Sequence, residues 1–456
     1  MANVETGRRG GAGPRFVTGS LLRHILAMTG AGAVGLMAIF VGDLANIYFL
    51  STLSDEAIVA AVGYASSILF FSTSVGIGLS IAATSLVAPA LGARRRMRAR
   101  RLAVNAHVLA FLFASGASIA LWLAITPLLE LLGASGRTLE LSARYLAILL
   151  PTLPVLSLAM TSAAVLRSVG DARRAMHVTL SGAVINVVLD VVLILHFGLG
   201  IEGAALSSLL ARTMMMGIGL HGVIKVHDLI GRPKLATLIQ DAPAYWRIAL
   251  PAVLTNVAPA VGNGYVTYAI AAFGDAAVAA WAIIGRIIPV AFGAIYALSG
   301  SVGPILGQNF GAREARRMRD VFTLSLFTMS AFTGLAWFLL AVFAHPLASL
   351  FNAGPEARVL IVFFCRWLSP LFVFLGALFI ASATFNTLGR PHVSTLLNWG
   401  RATLGTVPFV LLGGKFFAAE GVLAGNMLGG VIFGLAAIFS GYQLIARLGE
   451  ELSSGN

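Results

Sequence analysis

Two long apolar stretches of this chain are separated by Arg94-Arg95-Arg96-Met97-Arg98-Ala99-Arg100-Arg101, six arginines within eight residues. The chain around this run is 58% hydrophobic and 11% charged, and its mean hydropathy is +0.90 over 456 residues. Repeated apolar runs of about 20 residues do not suit a water-soluble core, whereas they are typical of transmembrane helices. The arginine run therefore indicates a cytoplasmic loop of a polytopic membrane protein.

The surplus of positive charge has two explanations. A formal net charge of +13 and a pI near 10.8 would suit an acidic partner such as nucleic acid. Basic loops that face an anionic lipid leaflet account for the same surplus. We therefore expect the lipid bilayer as a partner and no nucleic acid. Cys365 is the single cysteine, which excludes an intramolecular disulfide and a cysteine-based metal cluster.

The sequence predicts an all-α integral membrane protein, because charged, Gly-rich or Pro-containing turns divide the chain into twelve apolar helices. Their predicted limits are 23–52, 57–91, 102–132, 138–166, 173–197, 201–227, 243–273, 276–310, 318–351, 356–388, 393–415 and 420–447. The segment 1–20 is rich in Gly and Arg and lacks the apolar core of a signal peptide, so it predicts a disordered cytoplasmic tail.

The distribution of charge predicts the orientation of these helices. Of the 31 Lys and Arg residues, 23 fall on the side of the termini, 4 on the other side and 4 inside spans. The positive-inside rule then places both termini in the cytoplasm, in a multi-pass protein of the bacterial inner membrane. The opposite side carries acidic residues, namely Asp55, Glu56, Glu130, Glu140, Glu202, Asp275, Glu356 and Glu420.

The chain repeats itself at one constant offset, the interval from Gly92 to Gly311. The matching positions are Gly92-Ala93-Arg94 with Gly311-Ala312-Arg313, Pro127 with Pro346, Pro151 with Pro370, Gly170 with Gly389, and Ala60-Ala61 with Ala279-Ala280. Since each half holds six helices, an even number, the halves are parallel repeats about an axis along the membrane normal, around a central cleft. The predicted division is a tail at 1–22, an amino lobe at 23–227, a cytoplasmic linker at 228–242, a carboxyl lobe at 243–447 and a tail at 448–456.

Several motifs resemble those of the multidrug and toxic compound extrusion (MATE) family of cation-coupled efflux antiporters. They are Leu-Arg-Ser-Val-Gly-Asp-Ala-Arg at 166–173, Asn-Val-Val-Leu-Asp at 186–190, Gly-Ile-Glu-Gly-Ala-Ala at 200–205, Gly-Gln-Asn-Phe-Gly-Ala-Arg at 307–313 and Phe-Asn-Thr-Leu-Gly-Arg-Pro at 385–391. The likeness runs over nearly the whole chain. It implies an antiporter that exports organic cations or amphipathic toxic compounds in exchange for H+ or Na+, without a further cofactor.

Two acidic residues lie deep in predicted spans, Asp43 in helix 1 and Asp190 in helix 5. A carboxylate there costs on the order of 2.5–3.5 kcal/mol on insertion scales, so each is a functional candidate. At about 1.5 Å per residue, Asp43 lies roughly 14 Å and Asp190 roughly 10 Å below the outer helix ends. Neighbouring polar residues predict a site for Na+ or for a proton, with Asp43, Asn186 and Asp190 as its possible Na+ ligands. The full predicted cation-coupling set is Asp43, Asn46, Asn186, Asp190, Ser207 and Ser208.

The family resemblance points to the same region, since many members carry an acid in helix 1 and an Asn-x-x-x-Asp in helix 5. Aligned on the turn after helix 1, the family acid falls on Asn46, while Asp43 is one turn earlier on the same face. Which of the two takes that role stays open. A second interpretation of Asp190 is a buried ion pair with Arg212 that fixes helix packing, and Asp43 is alternatively a solvated cavity acid without a coupling role.

The carboxyl half lacks deep acids, so coupling is expected in the amino half alone. Polar residues of helices 7 and 11 recur at three- to four-residue spacings and are substrate-cavity candidates, with ordinary interhelical hydrogen bonding as the alternative. These candidates are Asn256, Asn263, Tyr265, Tyr268, Asn398, Trp399 and Arg401. Gln308-Asn309 follows a family pattern and is expected in a structural turn.

Other function classes are less well supported by the sequence. No histidine-acid cluster or GxxxxGK[ST] motif is present, so an enzyme or an ATP-driven pump is not expected. A chain without a pore loop offers no selectivity filter for a channel. A lipid-linked oligosaccharide flippase is the main alternative, because Arg286, Arg366 and Arg401 lie within carboxyl-half spans and would suit a pyrophosphate. The expected partner is a small organic substrate, and the expected oligomeric state is a monomer.

Overall fold

The computed structural model describes residues 14–51 and 56–454. Twelve membrane passes, numbered helix 1 to helix 12, follow one another along these residues. Helices 1 to 6 are Leu21–Ser51, Glu56–Gly92, Arg96–Leu123 with Ile125–Leu131, Gly136–Leu149 with Leu153–Ser168, Ala172–Asp190 with Val191–His196, and Gly200–His221 with Gly222–Val226. Helices 7 to 10 are Leu235–Ala271, Asp275–Ala291 with Gly293–Gly311, Ala315–Val342 with Ala344–Leu350, and Pro355–Phe363 with Phe372–Thr387.

Helices 11 and 12 share one long element. Helix 11 comprises Pro391–Ala402 and the first part of Val407–Ser453, which breaks at Phe417 and Ala418, and helix 12 is the remainder. By length and composition, nine of the described helices can cross a membrane, with Pro391–Ser453 counted as one, and a further crossing is the helix pair bent by 50° within helix 8. Helix 7, Leu235–Ala271, completes the twelve passes, although its composition is less apolar than that of these spans. The predicted twelve-helix, all-α fold is confirmed.

Three predicted boundaries are corrected. The arginine run is mostly helical, because helix 3 starts at Arg96 and only a short turn precedes it; arginine is a good helix former. The predicted linker 228–242 is half helical, since helix 7 begins at Leu235. Helix 12 continues to Ser453 rather than ending at 447.

The repeat is visible in the backbone as well as in the sequence. Arg94 and Arg313 both have positive φ, at 57° and 61°, and so do Gly170 and Gly389, at 85° and 78°. The members of each pair are separated by the same offset as Gly92 and Gly311. The same unusual backbone conformation therefore recurs at equivalent turns, which is evidence that the two lobes are built on one plan.

The amino lobe, helices 1–6, meets the carboxyl lobe, helices 7–12, on the side of the membrane where the described chain ends lie. We call this the terminal side. Helices 2 and 8 touch through glycine: a Cβ on Gly92 would lie 1.9 Å from the Gln308 carbonyl oxygen, and one on Gly311 would lie 1.9 Å from that of Pro89. Small residues of this kind let helix backbones approach closely within a membrane.

The lobes separate towards the opposite side and leave a central cleft. Ser74 and Gly78 of helix 2 contact helix 7, where the Ser74 hydroxyl donates to the Asn256 carbonyl at 3.4 Å. Gly63 and Ser67 lie on the same helical face, since three- and four-residue steps stay on one side of a helix, yet both are exposed. The interface of helices 2 and 7 thus opens along its length into a cleft.

The segment before helix 1 is packed between the lobes rather than free. Residues 1–13 of the predicted tail lie outside the described residues, but Phe16 is 2% exposed. Its backbone N–H donates to Gln308 Oε1 at 2.9 Å, and its carbonyl accepts from Arg317 at 2.9 Å. Arg15 donates to the Gly170 carbonyl of the amino lobe at 3.0 Å. The prediction of a disordered tail is wrong for residues 14–20, because their backbone hydrogen bonds are satisfied at the lobe interface.

Gln308 and Asn309 are buried in the last turn of helix 8 rather than in a loop. The Gln308 amide donates to the Ser168 carbonyl at 2.7 Å while its oxygen holds Phe16, so one side chain joins both lobes and the amino-terminal segment. The expected structural role fits these contacts.

We expect Gly311→Val to lower the midpoint of thermal unfolding in detergent, because the added atoms overlap the backbone of Pro89. Overpacking of this kind costs about 1–3 kcal/mol. Gly334→Val is the matched control, since an added Cβ at Gly334 in helix 9 meets nothing within 4 Å. Equal midpoints for the two variants, measured by a scanning fluorescence assay, would contradict the described lobe contact.

Candidate functional site

Asp190 stands where helix 5 changes its hydrogen-bonding pattern. The regular helix Ala172–Asp190 passes directly into a π-helical turn at Val191–His196. Such turns are rare and often lie at functional sites, because they widen the helix and redirect one side chain. Asp190 is 0% exposed, although it lies in a chain whose surroundings are apolar. A buried carboxylate in this position needs partners from neighbouring helices.

Two side chains supply those partners. The Asn46 amide of helix 1 donates to Asp190 Oδ2 at 2.9 Å. The Ser207 hydroxyl of helix 6 donates to Oδ1 in a short hydrogen bond, and the Ala204 carbonyl is a second acceptor for it at 3.0 Å. The Asn186 amide donates to Ser207 at 3.1 Å and lies 3.4 Å from Ser208. Three helices thus converge on one carboxylate.

Packing of helix 1 on helix 5 explains why Asn46, rather than Asp43, touches Asp190. A Cβ on Gly42 would lie 3.7 Å from the Val187 side chain, so Gly42 faces helix 5. Asn46 follows one turn later on that face and is 9% exposed, whereas Asp43 is rotated by about 100° and is exposed. In the structure, the position onto which the family acid falls is therefore occupied by an amide.

Asp43 belongs to a second group of charges beside the first. It lies within electrostatic range of Arg212 and of Asp190. Arg212 donates to Thr152 Oγ1 at 2.6 Å and lies 3.4 Å from the Leu149 carbonyl. The alternative of a direct Asp190–Arg212 ion pair is not seen among the described contacts, in which Asp190 has neutral partners and Arg212 is held by helix 4.

This arrangement brings all six predicted coupling residues to one region of the amino lobe. In the described part of the chain, no three His, Cys, Asp or Glu side chains lie together as metal ligands. A zinc-type site is therefore not built here. One buried carboxylate surrounded by hydroxyl and amide oxygens instead suits a proton or a hard monovalent cation, which prefers oxygen ligands.

The predicted cavity residues are divided between the cleft and the carboxyl-lobe interior. Asn263 and Tyr268 are exposed on helix 7, Tyr268 at 78%, and Asn256 lies at the base of the cleft. Tyr265 is partly buried beside Tyr268, with ring centroids 6.3 Å apart. These four residues share one helix.

Helix 11 contributes differently from helix 7. The Asn398 amide donates to Ser382 of helix 10 at 2.9 Å, inside the lobe. The Trp399 indole donates to the Leu254 carbonyl at 3.0 Å, which is a packing contact between helices 11 and 7. Asn398 and Trp399 are thus engaged in interhelical hydrogen bonds, the alternative expected from the sequence.

The three carboxyl-half arginines have different surroundings. Arg286 and Arg366 are exposed, whereas Arg401 is 7% exposed. Arg401 lies ten residues into helix 11, roughly 15 Å from its start and so near the middle of a hydrocarbon core about 30 Å thick. None of the hydrogen bonds or ion pairs among the described residues uses its guanidinium.

The helix dipole alone does not explain why Arg401 is buried. Arg401 is in the last turn of the segment Pro391–Ala402, where a cation is favourable by about 0.3–1 kcal/mol. An arginine at the bilayer centre costs on the order of 2.5–3.5 kcal/mol on insertion scales. Because the cost of insertion exceeds the stabilisation by the helix dipole, a functional role for Arg401 is favoured. The flippase alternative depends on arginines, and Arg401 is the buried one among its three candidates.

Sequence reasoning did not single out two tyrosines that lie beside these charges. Tyr145 of helix 4 is 6% exposed and within electrostatic range of Arg212, Asp190 and Asp43. Tyr296 of helix 8 is within electrostatic range of Arg401. Spacing could not reveal them, since a tyrosine in an apolar helix is ordinary and both charges lie on other helices.

The MatE family model matches the chain twice, at residues 32–192 and 251–411. The chain belongs to the MatE family. The second match is displaced from the first, at both of its ends, by the offset that separates Gly92 from Gly311, which confirms the internal repeat. The sequence-based assignment to the MATE family is confirmed as well.

Full-length relatives agree with this assignment. The chain is 29% identical over 440 residues to the FAD transporter of Shewanella oneidensis, covering 95% of this chain and 96% of the relative. It is 22% identical over 453 residues to the multidrug export protein MepA of Staphylococcus haemolyticus, covering 96% and 97%. A crystal structure of a mutant Vibrio cholerae MATE transporter, VcmN, superimposes with a TM-score of 0.89 at 26% identity over 94% of this chain and 97% of that one. This MATE-family chain is therefore a multi-pass membrane protein whose relatives are transporters.

Adjacent serines offer a test of the amino-lobe site. We expect Ser207→Ala to lower the thermal midpoint in detergent clearly more than Ser208→Ala does. Removing Ser207 takes a donor from a buried carboxylate, and hydrogen bonds to charged groups contribute about 1.5–3 kcal/mol. Ser208 is the more distant partner of the Asn186 amide, so its loss costs less. A larger effect from Ser208→Ala would show that the site is assembled differently.

Proposed function

We propose that this MATE-family protein is a secondary active antiporter, which exports small amphipathic organic molecules across the bacterial inner membrane in exchange for H+ or Na+. The observation that carries the proposal is the fully buried Asp190 carboxylate, held by Asn46 and Ser207 beside the cleft-forming helices. A membrane carboxylate is a functional site by default. No cofactor is needed in this scheme beyond the coupling ion.

Ser207 gives the ion a way to change the local hydrogen bonding. A proton on Asp190 makes one carboxyl oxygen a donor, so Ser207 no longer has to donate to it. A sodium ion between Asp190 and Ser207 likewise needs the hydroxyl hydrogen turned away. In both cases the Ala204 carbonyl, 3.0 Å away, accepts that hydrogen. Ion binding would thus exchange an interhelical bond for one inside helix 6 and loosen the link between helices 5 and 6.

The shape of the molecule suits the outward-facing half of a transport cycle. Since arginine-rich loops face the cytoplasm in most membrane proteins, we place the terminal side in the cytoplasm. The glycine contacts of helices 2 and 8 then close the cytoplasmic side, while the cleft opens outwards. In this state an ion from outside reaches the amino lobe, and its binding favours substrate release and return to the inward-facing state.

The substrate is an amphipathic organic molecule. Aromatic and amide side chains on the cleft face of helix 7 suit a molecule with flat rings and polar substituents. The relatives are named for FAD transport and for multidrug export, and both names are compatible with such a cleft. The flippase alternative would need several cations along the cleft to hold a pyrophosphate, whereas the candidate cleft side chains of helix 7, Asn256, Asn263, Tyr265 and Tyr268, are uncharged.

We expect Asp190→Asn to abolish gradient-driven efflux in proteoliposomes, because an amide neither accepts a proton at neutral pH nor balances the charge of Na+. Efflux of a fluorescent substrate is measured under a pH gradient and, separately, under a Na+ gradient. The gradient that drives the wild-type protein identifies the coupling ion. Asp43→Asn is expected to weaken coupling less, since Asp43 makes no hydrogen bond in the described site.

Asp275→Asn is the matched control for this experiment, because Asp275 begins helix 8 at the membrane boundary and lies outside the buried site. It should transport at the wild-type rate. Wild-type efflux from Asp190→Asn, with a gradient confirmed by an independent dye, would remove Asp190 from the coupling mechanism.

A further inference from the structure

Arg401 combines three properties that a packing residue does not need. It is only 7% exposed, it lies near the bilayer centre, and its guanidinium has no acceptor among the described residues. Its backbone carbonyl, by contrast, is satisfied by the Thr406 hydroxyl at 2.9 Å. An arginine carries five N–H donors in a planar fork. The Arg401 nitrogens are not among the fully enclosed polar atoms that lack a partner, so the guanidinium borders accessible space, and a partner from outside the chain is the simplest explanation.

The carboxyl lobe offers this cation no acidic partner among the described residues. Acidic side chains of helices 7–12 lie at helix ends or in turns, at Asp241, Asp275, Glu314, Asp320, Glu356, Glu420, Glu450 and Glu451. Arg401 is in mid-span, many residues from each of them. The amino lobe, by contrast, has acidic side chains in mid-span, at Asp43 and Asp190. The two lobes therefore present opposite charge at their interior sites.

The tyrosine that interacts electrostatically with Arg401 belongs to an aromatic cluster. Tyr296 of helix 8 lies within electrostatic range of the guanidinium, and its hydroxyl takes part in none of the described hydrogen bonds. The Tyr296 ring lies 5.3 Å from Phe379 and 6.3 Å from Phe372, and Phe372 stacks on Phe292 at 4.0 Å. An unused cation and an unused hydroxyl donor thus stand beside an aromatic cluster.

Helix 8 bends at this cluster. Its two segments meet at Phe292 at an angle of 50°. Helix 11 is also interrupted, between Ala402 and Val407, directly after Arg401. Breaks in membrane helices are tolerated where they border a cavity or a binding site. The bend of helix 8 thus lies one turn before Tyr296, and the break of helix 11 lies directly after Arg401, so both residues stand next to an interruption of their helix.

We propose that Arg401 and Tyr296 bind the phosphate or carboxylate group of an aromatic organic anion, so that the carboxyl lobe selects anionic substrates while the amino lobe binds the coupling cation. This inference rests on the proposed transport function and narrows its substrate class from amphipathic organic molecules to aromatic anions. The guanidinium would pair with the anionic group, and the partly exposed rings of Tyr296 and Phe379 would contact the aromatic part. An organic cation placed there would meet like charge.

The test is an equilibrium binding measurement on the purified full-length protein in detergent, with flavins as probes. FAD and FMN carry phosphate, whereas riboflavin has the same ring system and none. We expect the wild-type protein to bind FAD or FMN at least tenfold more tightly than riboflavin. Arg401→Gln should remove that preference and leave riboflavin affinity unchanged, and Arg401→Lys should keep part of it. Arg366→Gln, an exposed arginine of helix 10, is the matched control and should bind like the wild type.

Two observations keep the proposal testable if Arg401→Gln folds poorly. Inorganic pyrophosphate should compete with FAD on the wild-type protein, and Tyr296→Phe should weaken FAD binding without affecting riboflavin. Equal wild-type affinity for the three flavins, or an equal loss of all three in Arg401→Gln at an unchanged thermal midpoint, would overturn the proposal. Tighter wild-type binding of an organic cation, such as ethidium, than of FAD would also overturn it.

Binding in detergent needs no gradient, so a failure of ion coupling leaves this measurement unaffected. Anion-selective binding without gradient-driven efflux would support the Arg401 site and refute the antiport scheme. Gradient-driven efflux of a cation, together with no preference for anions in binding, would support the antiport scheme and refute the Arg401 site.

Discussion

Inside a bilayer, every buried polar group depends on the protein for its partners, because lipid tails neither donate nor accept hydrogen bonds. The backbone meets this requirement by forming helices through nearly the whole described chain. Side chains meet it in pairs, as Asn46 and Ser207 do for Asp190 and as Ser382 does for Asn398. A charged group that lacks such a partner is therefore informative, and the guanidinium of Arg401 is one such group in the described carboxyl lobe.

The two lobes share one backbone plan but differ in charge. Equivalent turns of the two halves have the same left-handed backbone conformation, at Arg94 and Arg313 and again at Gly170 and Gly389. The interior side chains have diverged, with two carboxylates and Arg212 in the amino lobe and Arg401 without an acidic partner in the carboxyl lobe. A duplicated fold can thus assign a coupling cation and an anionic substrate to separate sites, and motion of the lobes about their interface would connect the two.

That interface depends on close backbone contact on one side of the membrane. Gly92 and Gly311 place helices 2 and 8 so near each other that a side chain at either position would overlap the opposing backbone. The amino-terminal segment adds hydrogen bonds across the same closure, through Arg15, Phe16 and Gln308. Buried apolar side chains of helices 2 and 7, such as Leu79 and Tyr245, also pack together, so the interface combines close backbone contact, hydrogen bonds and apolar packing.

Hydropathy and a fixed repeat offset determined the twelve helices and the two-lobe plan, since these properties are local or periodic along the chain. The family was predicted from the resemblance of sequence motifs, which are local as well. Hydropathy also identified Asp43 and Asp190, because an acid within an apolar span is visible from its neighbours in sequence. Other features depend on residues far apart in the chain. Asn46 and Asp190 are separated by 144 positions, and helix 1 packs on helix 5 through Gly42, so only the folded protein shows which residue of helix 1 reaches the carboxylate.

Contacts between residues far apart in the chain also explain the other differences between the predicted and the observed structure. The sequence predicts Phe16 to lie in a polar tail. In the structure Phe16 is buried, and its backbone N–H donates a hydrogen bond to Gln308, 292 positions later. Arg401 could equally have been paired by a neighbour, and the tertiary structure alone shows that it stands beside Tyr296 without an acid. Sequence periodicity specifies which face of a helix is polar, but the identity of the side chains opposite that face is decided when the lobes assemble.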